Sequence, residues 1–315
     1  MSTAALVLEN RNSPVALELL SRPVRDLTFV AFDTETTGRH PIISRMVEIS
    51  AIKFKGNGQI LGKRTQLINP EQVIPPDVTA IHGITQNMVA QMPKYQEVIP
   101  SFVDWMSANN GSDHHDMPVM VAHNANFDVG FLQVALSRMQ MSMPQNAVLD
   151  TLSLSRKLIH DSDNHKLKTL IEHLGYEAQT YHRAEADSLH VMKLFLHLIS
   201  KLDRKCTLGN LLDESGAIFF KDPITVLENY SECSNPRVVA IGAAIENEQD
   251  LQIHYRGFGI KDRKITPFSV MRSGKKYYLS AYCHQAKGER TFRVNRIASM
   301  SPVERSELGS KQCQS

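Results

Sequence analysis

Leu27-Thr28-Phe29-Val30-Ala31-Phe32-Asp33-Thr34-Glu35-Thr36-Thr37-Gly38 is the stretch that decides the fold. Leu27 to Phe32 is a short apolar run rich in β-formers, the pattern of a strand covered on both faces. Asp33-Thr34-Glu35 follows it directly. In extended backbone the side chains at i and i+2 point to the same side, so two carboxylates stand together at a strand end. Like charges that close repel unless a cation neutralises them. Hard oxygen ligands suit magnesium or manganese. An isolated Asp-x-Glu is most often a solvated acidic loop. Here the pair ends an apolar strand and leads into Thr36-Thr37-Gly38, which shifts the balance toward a site.

Working outward, Val47–Phe54 and Gln59–Leu67 read as two more strands separated by the turn signal Gly56-Asn57-Gly58. Glu97–Ala108 reads as a helix with Pro100 in its first turn, and Pro118–Ala122 as a short strand. Asn124 is expected to cap a helix running to about Met139, with Phe127, Phe131 and Val134 as its apolar stripe. Ala147–Leu149 is a fifth strand. Leu167, Leu170, Ile171 and Leu174 keep helical spacing and Gly175 ends that helix. A long helix spans Arg183–Ser200. Upstream, a helix around Val15–Leu20 stops before Pro23. Three early strands followed by alternating helices and strands predict an α/β fold with a mixed sheet and flanking helices.

Beyond Ser200 the pattern changes. Polar residues with Gly209 and Gly216 suggest a linker, and Val238–Ile245, Leu251–Tyr255, Lys276–Tyr282 and Thr291–Ile297 read as strands with turns at Gly257, Gly274 and Gly288. The expected organisation is a lead-in at 1–25, an α/β domain at 26–200, a linker at 201–217, a small β-rich domain at 218–303 and a polar tail at 304–315. The 315 residues lack any apolar run of the about 18–20 that a membrane helix needs. The N-terminus has no secretory signal pattern. Cys206, Cys233, Cys283 and Cys313 are scattered, which suits a reducing cytoplasm rather than a zinc site or disulfide framework. The net charge of +2 says little about partners. The distribution says more: Arg256, Lys261, Arg263, Lys264, Arg272, Lys275, Lys276, Lys287, Arg290, Arg293 and Arg296 face only Asp262 and Glu289 across residues 251–300. With tyrosines interleaved, that is the composition of a phosphate-and-stacking surface. It is equally that of a solvated sheet face over an aromatic core.

Two further acids stand where chemistry would need them. Asp128, in His123-Asn124-Ala125-Asn126-Phe127-Asp128, falls in the first turn of a helix after a strand, and Asp187 lies near the start of the last helix, five residues beyond His182. Taken singly, each is more often structural. Together, Phe29 to Gly38, Val121 to Asp128 and Tyr181-His182-Arg183-Ala184-Glu185-Ala186-Asp187 resemble the three motifs of the DEDDh (DnaQ-like) exonucleases, the family of the epsilon proofreading subunit of bacterial replicative DNA polymerase. Ala80-Ile81-His82-Gly83-Ile84-Thr85 resembles a loop of the same family. The resemblance covers roughly residues 27–200.

It implies a ribonuclease H-like fold and a 3′→5′ exonuclease, with Asp33, Glu35, Asp128 and Asp187 binding two divalent ions, Mg²⁺ or Mn²⁺, and His182 as general base on a loop that swings in with substrate. Two ions about 4 Å apart clamp a phosphodiester, and an imidazole with pKa near about 6.5 accepts a proton near neutral pH. The resemblance assigns the terminal nucleotide to the backbone around Thr36, Thr37 and Gly38, together with His82 and Asn124. Its most similar members favour DNA with single-stranded 3′ ends, in proofreading, repair or defence; RNA-trimming members share the same five residues. Lys276 to Tyr282 with Arg290 to Ile297 resembles a WYL domain, a small Sm-like β-barrel of bacterial regulators, with Tyr277 where that family has Trp. It implies a nucleic-acid or nucleotide ligand at Tyr255, Arg290, Arg293 and Arg296. Other readings are a sensing protein on a dead nuclease scaffold and a polymerase- or repair-associated subunit. His114-His115-Asp116 reads as a solvated loop rather than a metal site.

Overall fold

The computed structural model describes residues 14–108, 117–176, 183–216, 218–221, 223–257 and 259–305. After helix α1 (Pro14–Ser21), strand β1 (Thr28–Thr36) pairs antiparallel with β2 (Met46–Lys55), which pairs antiparallel with β3 (Ile60–Leu67). Helices α2 (Pro76–His82), α3 (Gln86–Val89) and α4 (Tyr95–Ser107) follow. The chain re-enters the sheet as β4 (Val119–Ala122), parallel to β1, then helix α5 (Asn126–Arg138), then β5 (Ala147–Asp150), parallel to β4. Helices α6 (Thr151–Leu158), α7 (Leu167–His173), α8 (Ala184–Ser200) and α9 (Leu208–Ser215) lead to β6 (Ile218–Phe219), antiparallel to β5. The strand order is β3-β2-β1-β4-β5-β6, a mixed sheet with helices on both faces.

Alternation along β1 explains both covers. Phe29 and Ala31 join the cluster under α8, which includes Phe54, Val191, Phe195 and Leu198; Val30 and Phe32 join the opposite cluster with Phe102, Leu132 and Leu136. The Phe29 and Phe195 rings lie 4.7 Å apart, and Phe29 and Phe54 5.7 Å. Burial of a side chain of this size stabilises by about 1.5–3 kcal/mol. Lys53, buried in β2 between Ile52 and Phe54, donates from Nζ to the carbonyls of Trp105 and Ala108 at 2.7 Å each. It thereby satisfies the orphan acceptors at the end of α4.

The second unit is antiparallel. Helix α10 (Pro236–Glu246) precedes β8 (Asp250–Gly257), β9 (Gly259–Ser273), β10 (Lys276–Cys283), β11 (Gly288–Arg293) and β12 (Ile297–Val303), in order β11-β10-β9-β8-β12, with β7 (Thr225–Val226) also pairing with β9. Val238 and Ile241 of α10 pack on Leu251, Ile265, Val270 and Leu279. Gly242 lets Tyr230 close on the helix, since a Cβ there would lie 2.2 Å from that residue's own Cβ.

The two units meet through β11. Arg45 forms an ion pair with Glu289, and Arg138 Nη1 lies 3.9 Å from the same carboxylate. Arg138 Nη2 donates to the Ile42 carbonyl at 2.7 Å and to Thr291 Oγ1 at 3.2 Å. Val134 packs with Ile224 and Met271. A Cβ on Gly288 would stand 2.9 Å from the Glu71 carbonyl. No helix among the described residues is long and apolar enough to cross a membrane.

Several expectations change. Helix α4 begins at Tyr95, because Glu97 Oε1 accepts from the Lys94 N–H at 2.9 Å, so Pro100 lies beyond the first turn. The segment 201–217 includes α9, whose Leu208, Leu211 and Leu212 are buried in the first core, and Ile218–Phe219 extends the first sheet. Val238–Ile245, read as a strand, is helical: Asn235 Oδ1 caps the Arg237 N–H at 3.1 Å and Pro236 occupies the first turn. The strand Gly259–Ser273 was not expected because Pro267 interrupts its pattern; Pro267 sits at a register shift, where a ladder tolerates it. Thr291–Ile297 divides into the end of β11, a 3-10 turn and the start of β12. His114-His115-Asp116 and residues 306–315 lie outside the described residues.

Candidate active site

The period of β1 carries into the site. Asp33 and Glu35 share the face on which Phe29 and Ala31 meet α8, and α8 carries Asp187 in its first turn. Carboxylate oxygens of Asp33, Glu35 and Asp187 all lie within 4.8 Å of one another. Asp128, 2% exposed on α5, is fixed by Thr34, whose N–H and Oγ1 donate to Asp128 Oδ1 at 2.9 and 2.7 Å. Burial, then the neighbouring Asp128, Glu35, Asp187 and Glu48, pushes the Asp33 carboxyl well above the usual carboxylate range. Burial, then Asp187, Glu48 and Asp128, pushes Glu35 up to about 8, against a smaller opposing pull from Arg183. Asp128 rises to about 7 through burial, which outweighs the hydrogen bonds from Thr34. Clustered acids in this condition either keep their protons or share a cation. An all-carboxylate donor set at this spacing fits hard divalent ions such as Mg²⁺ or Mn²⁺.

Three groups missed in the sequence hold the arrangement. Glu48, 1% exposed on β2 and opposite Glu35 in the ladder, accepts from Arg183 Nε (3.2 Å), Arg183 Nη2 (2.7 Å) and the Ala184 N–H (2.9 Å). Asp150 ends β5 and accepts at Oδ1 from the N–H groups of Asn124 (2.8 Å), Ala125 (3.3 Å) and Leu152 (3.0 Å), and at Oδ2 from Ser153 Oγ (3.0 Å). It thus caps α6 and also anchors the entry to α5. His123 spans Thr151 Oγ1 and the His165 carbonyl at 3.0 Å each, and burial lowers its pKa. A charged residue inside an apolar strand run, as with Glu48, and a second Asp-Thr after a strand, as with Asp150, were the available signals.

The predicted nucleotide contacts fare differently. Thr36 Oγ1 donates to the Gly38 carbonyl, and Thr37 Oγ1 donates to Gln72 Oε1 while accepting from the Arg45 N–H. Both hydroxyls therefore serve the turn that frames the site. His82 is buried, and its Nδ1 accepts from the Ile84 N–H at 3.0 Å. Asn124 is exposed at φ +60° and does not cap α5 with its side chain; Asp150 reaches its backbone instead. His182 lies outside the described residues. In the second unit, Arg290 and Arg293 stand three apart on β11 in unbroken register, on opposite faces of the strand. Tyr255 packs on Phe292 and accepts from the Arg293 N–H through its hydroxyl at 3.1 Å, and Arg296 is exposed.

The family described as RNase_T, exonuclease, matches residues 30–195, and the WYL domain matches residues 237–302. The chain is similar to DNA polymerase III PolC-type of Oceanobacillus iheyensis, 35% identical over 209 residues, covering 65% of this chain and 14% of that protein. It is similar to the protein of the same description from Caldanaerobacter subterraneus subsp. tengcongensis, 37% identical over 174 residues, covering 55% of this chain and 12% of that protein. The chain spans about a seventh of the length of such relatives. Among solved structures, the zinc-bound form of an E. coli ExoI–ssDNA complex aligns at TM-score 0.50 and 14% identity, over 79% of this chain and 55% of that one, a likeness of fold.

Proposed function

The chain belongs to the RNase_T exonuclease family, and from that premise we propose that it is a divalent-metal-dependent 3′→5′ exonuclease that releases nucleoside 5′-monophosphates from single-stranded DNA ends. The observation that carries the reading is the meeting of Asp33, Glu35 and Asp187 within 4.8 Å, beside a buried Asp128. Four acids gathered at the end of one strand and the first turns of two helices are costly to a fold that has no use for a cation. This disfavours a nuclease scaffold retained only for binding.

In this reading Asp33, Glu35, Asp128 and Asp187 hold two divalent ions. When bound, such ions activate water and neutralise charge on the leaving oxygen. The chain's own work is positioning and proton transfer. Thr34 orients Asp128 through two donors. The turn Thr36-Thr37-Gly38, tied to Gln72 and Arg45, frames the entrance for the terminal nucleotide, with His82 and Asn124 as its neighbours in the proposed contact set. His182 takes the proton from the attacking water. The WYL unit contributes a basic surface, with Arg256, Lys261, Arg272, Lys275, Lys276 and Arg296 exposed, that suits a nucleic-acid strand. The proposed domain division extends the nuclease from residue 26 through α9 and β6, beyond the 200 expected from sequence, and gives the rest of the chain to residue 303 to the WYL-like unit, within a cytoplasmic protein.

The test uses 5′-labelled single-stranded DNA and matching RNA with Mg²⁺, Mn²⁺ or EDTA. Metal-dependent laddering from the 3′ end is expected on DNA, lost in Asp33→Ala and reduced about 10²–10⁴-fold in His182→Ala. Preference for the RNA would replace the substrate assignment. Laddering that survives EDTA or Asp33→Ala would remove the mechanism.

A further inference from the structure

Asp187 reaches the acidic cluster from a helix that does not cap itself. Arg183, at the N-cap of α8, has extended backbone and makes no side-chain capping bond. The first N–H groups of a helix need acceptors from elsewhere. Here one comes from another strand: the Ala184 N–H donates to Glu48 Oε2 at 2.9 Å. A carboxylate at that place also interacts favourably with the positive end of the helix dipole. The same carboxylate receives the forked guanidinium of Arg183, Nε to Oε2 at 3.2 Å and Nη2 to Oε1 at 2.7 Å, a two-point geometry that fixes direction as well as distance. Two residues along β2, on the same face, Ser50 Oγ lies 3.1 Å from Ser188 Oγ of α8. In the ladder Glu48 stands opposite Glu35 and Ser50 opposite Asp33. The residues that grip the helix are therefore the cross-strand neighbours of the residues that share the cluster with Asp187.

We propose that Glu48 is a positioning residue of the metal site: through Arg183 and the Ala184 amide it clamps the first turn of α8 to the sheet and so sets Asp187 against Asp33 and Glu35. The proposal rests on the reading of those three acids as metal ligands. We place Glu48 outside the ligand set because its two oxygens face three donors from the start of α8, while the carboxylate oxygens that gather within 4.8 Å of one another belong to Asp33, Glu35 and Asp187.

The test measures Mn²⁺ binding directly, by the paramagnetic resonance of the free ion, on full-length wild type, Glu48→Gln, Glu48→Ala, Arg183→Gln, the Glu48→Gln/Arg183→Gln double variant and Asp33→Ala. Nuclease rate is followed against Mn²⁺ concentration in parallel. Glu48→Gln and Arg183→Gln are each expected to weaken Mn²⁺ binding about 10–100-fold, as loss of a group supporting a ligand does. The double variant should be no weaker than the worse single one, since both break the same clamp. Rate should return toward the wild-type value at saturating Mn²⁺. Wild-type affinity in Glu48→Ala or Glu48→Gln overturns the proposal. So does a loss in Glu48→Gln with wild-type affinity in Arg183→Gln, which would make Glu48 a ligand. Should Glu48→Ala fail to fold, the near-isosteric Glu48→Gln and Arg183→Gln decide. Asp33→Ala separates the two levels: wild-type Mn²⁺ binding there removes the ligand assignment, whereas its loss beside unaffected Glu48 variants removes the positioning role alone.

Discussion

Glu35 is where the stability of the fold and the demands of the site oppose each other. Burial, then Asp187, Glu48 and Asp128, raises its carboxyl from 4.5 to about 8. Between those values the folded chain holds a proton that the unfolded chain has released. Stability of the metal-free protein therefore falls as pH rises through that window, and Asp33, raised by burial and the same neighbours, acts in the same direction. Thermal unfolding in EDTA should show a lower Tm at the upper end of the window than at the lower end, and Glu35→Gln should narrow that difference. Adding Mg²⁺ at the upper end should raise the Tm of wild type and leave Asp33→Ala little changed, because a ligand that binds only the folded state stabilises it by mass action. A wild-type Tm that neither falls across the window nor responds to Mg²⁺ would refute the charge-repulsion account. Asp33 and Glu35 were legible in the sequence because their chemistry is local, two acids of one parity at the end of an apolar run. Glu48 was not, because its partner lies 135 positions away in sequence.

At the scale of elements, legibility followed periodicity. β1, β2, β4, β5, α7 and α8 carry apolar patterns of period 2 or near 3.6 along their own length, and sequence alone places them close to their structural bounds. Val238 to Ile245 misleads because an all-round apolar helix and a buried strand share one composition; the Asn235-Pro236 start signal distinguishes them. β9 is held by pairing with β8, β10 and β7, a cause that Pro267 hides from a local reading. Asp150 shows the same limit in the site. It does for the entry to α5 what Asn124 was expected to do, and α5 carries Asp128. Asp150→Ala leaves the N–H groups of Asn124, Ala125 and Leu152 without that acceptor, at a cost of about 1–3 kcal/mol. It should also lower kcat, since a shift of about 1 Å in a catalytic group costs ~10²-fold. Denaturant titration and single-turnover kinetics read the two effects. Unchanged kcat in a destabilised Asp150→Ala would confine the residue to folding.

For the whole molecule, the question is whether the WYL unit is a passenger or part of the nuclease. The ion pair at β11 argues for the second. Arg45 and Arg138 side chains are 8% exposed and both reach Glu289 of the WYL unit. Burial raises the Glu289 carboxyl, but the two guanidiniums outweigh it and hold the group below the usual carboxylate range. Burial, then the neighbouring Arg45, lowers Arg138 to about 10, so the pair of cations depends on that acid. The far side of Arg45 is the active-site turn: its N–H donates to Thr37 Oγ1, and Thr37 donates to Gln72. Glu289 is one of only two acids in the basic stretch 251–300, and it faces the nuclease rather than the surface that would meet a strand. Removing it in Glu289→Ala leaves two mostly buried guanidiniums uncompensated, a cost toward the low end of about 3–5 kcal/mol because the carboxylate itself is 23% exposed. The loss should fall on the junction, giving unfolding in two steps instead of one and faster amide exchange across residues 36–45. Lower activity should accompany it on substrates long enough to reach the basic face. If Glu289→Ala unfolds in one step with unchanged exchange in that turn, the two units are joined by chain alone and the WYL surface must act on nucleic acid without acting on the site.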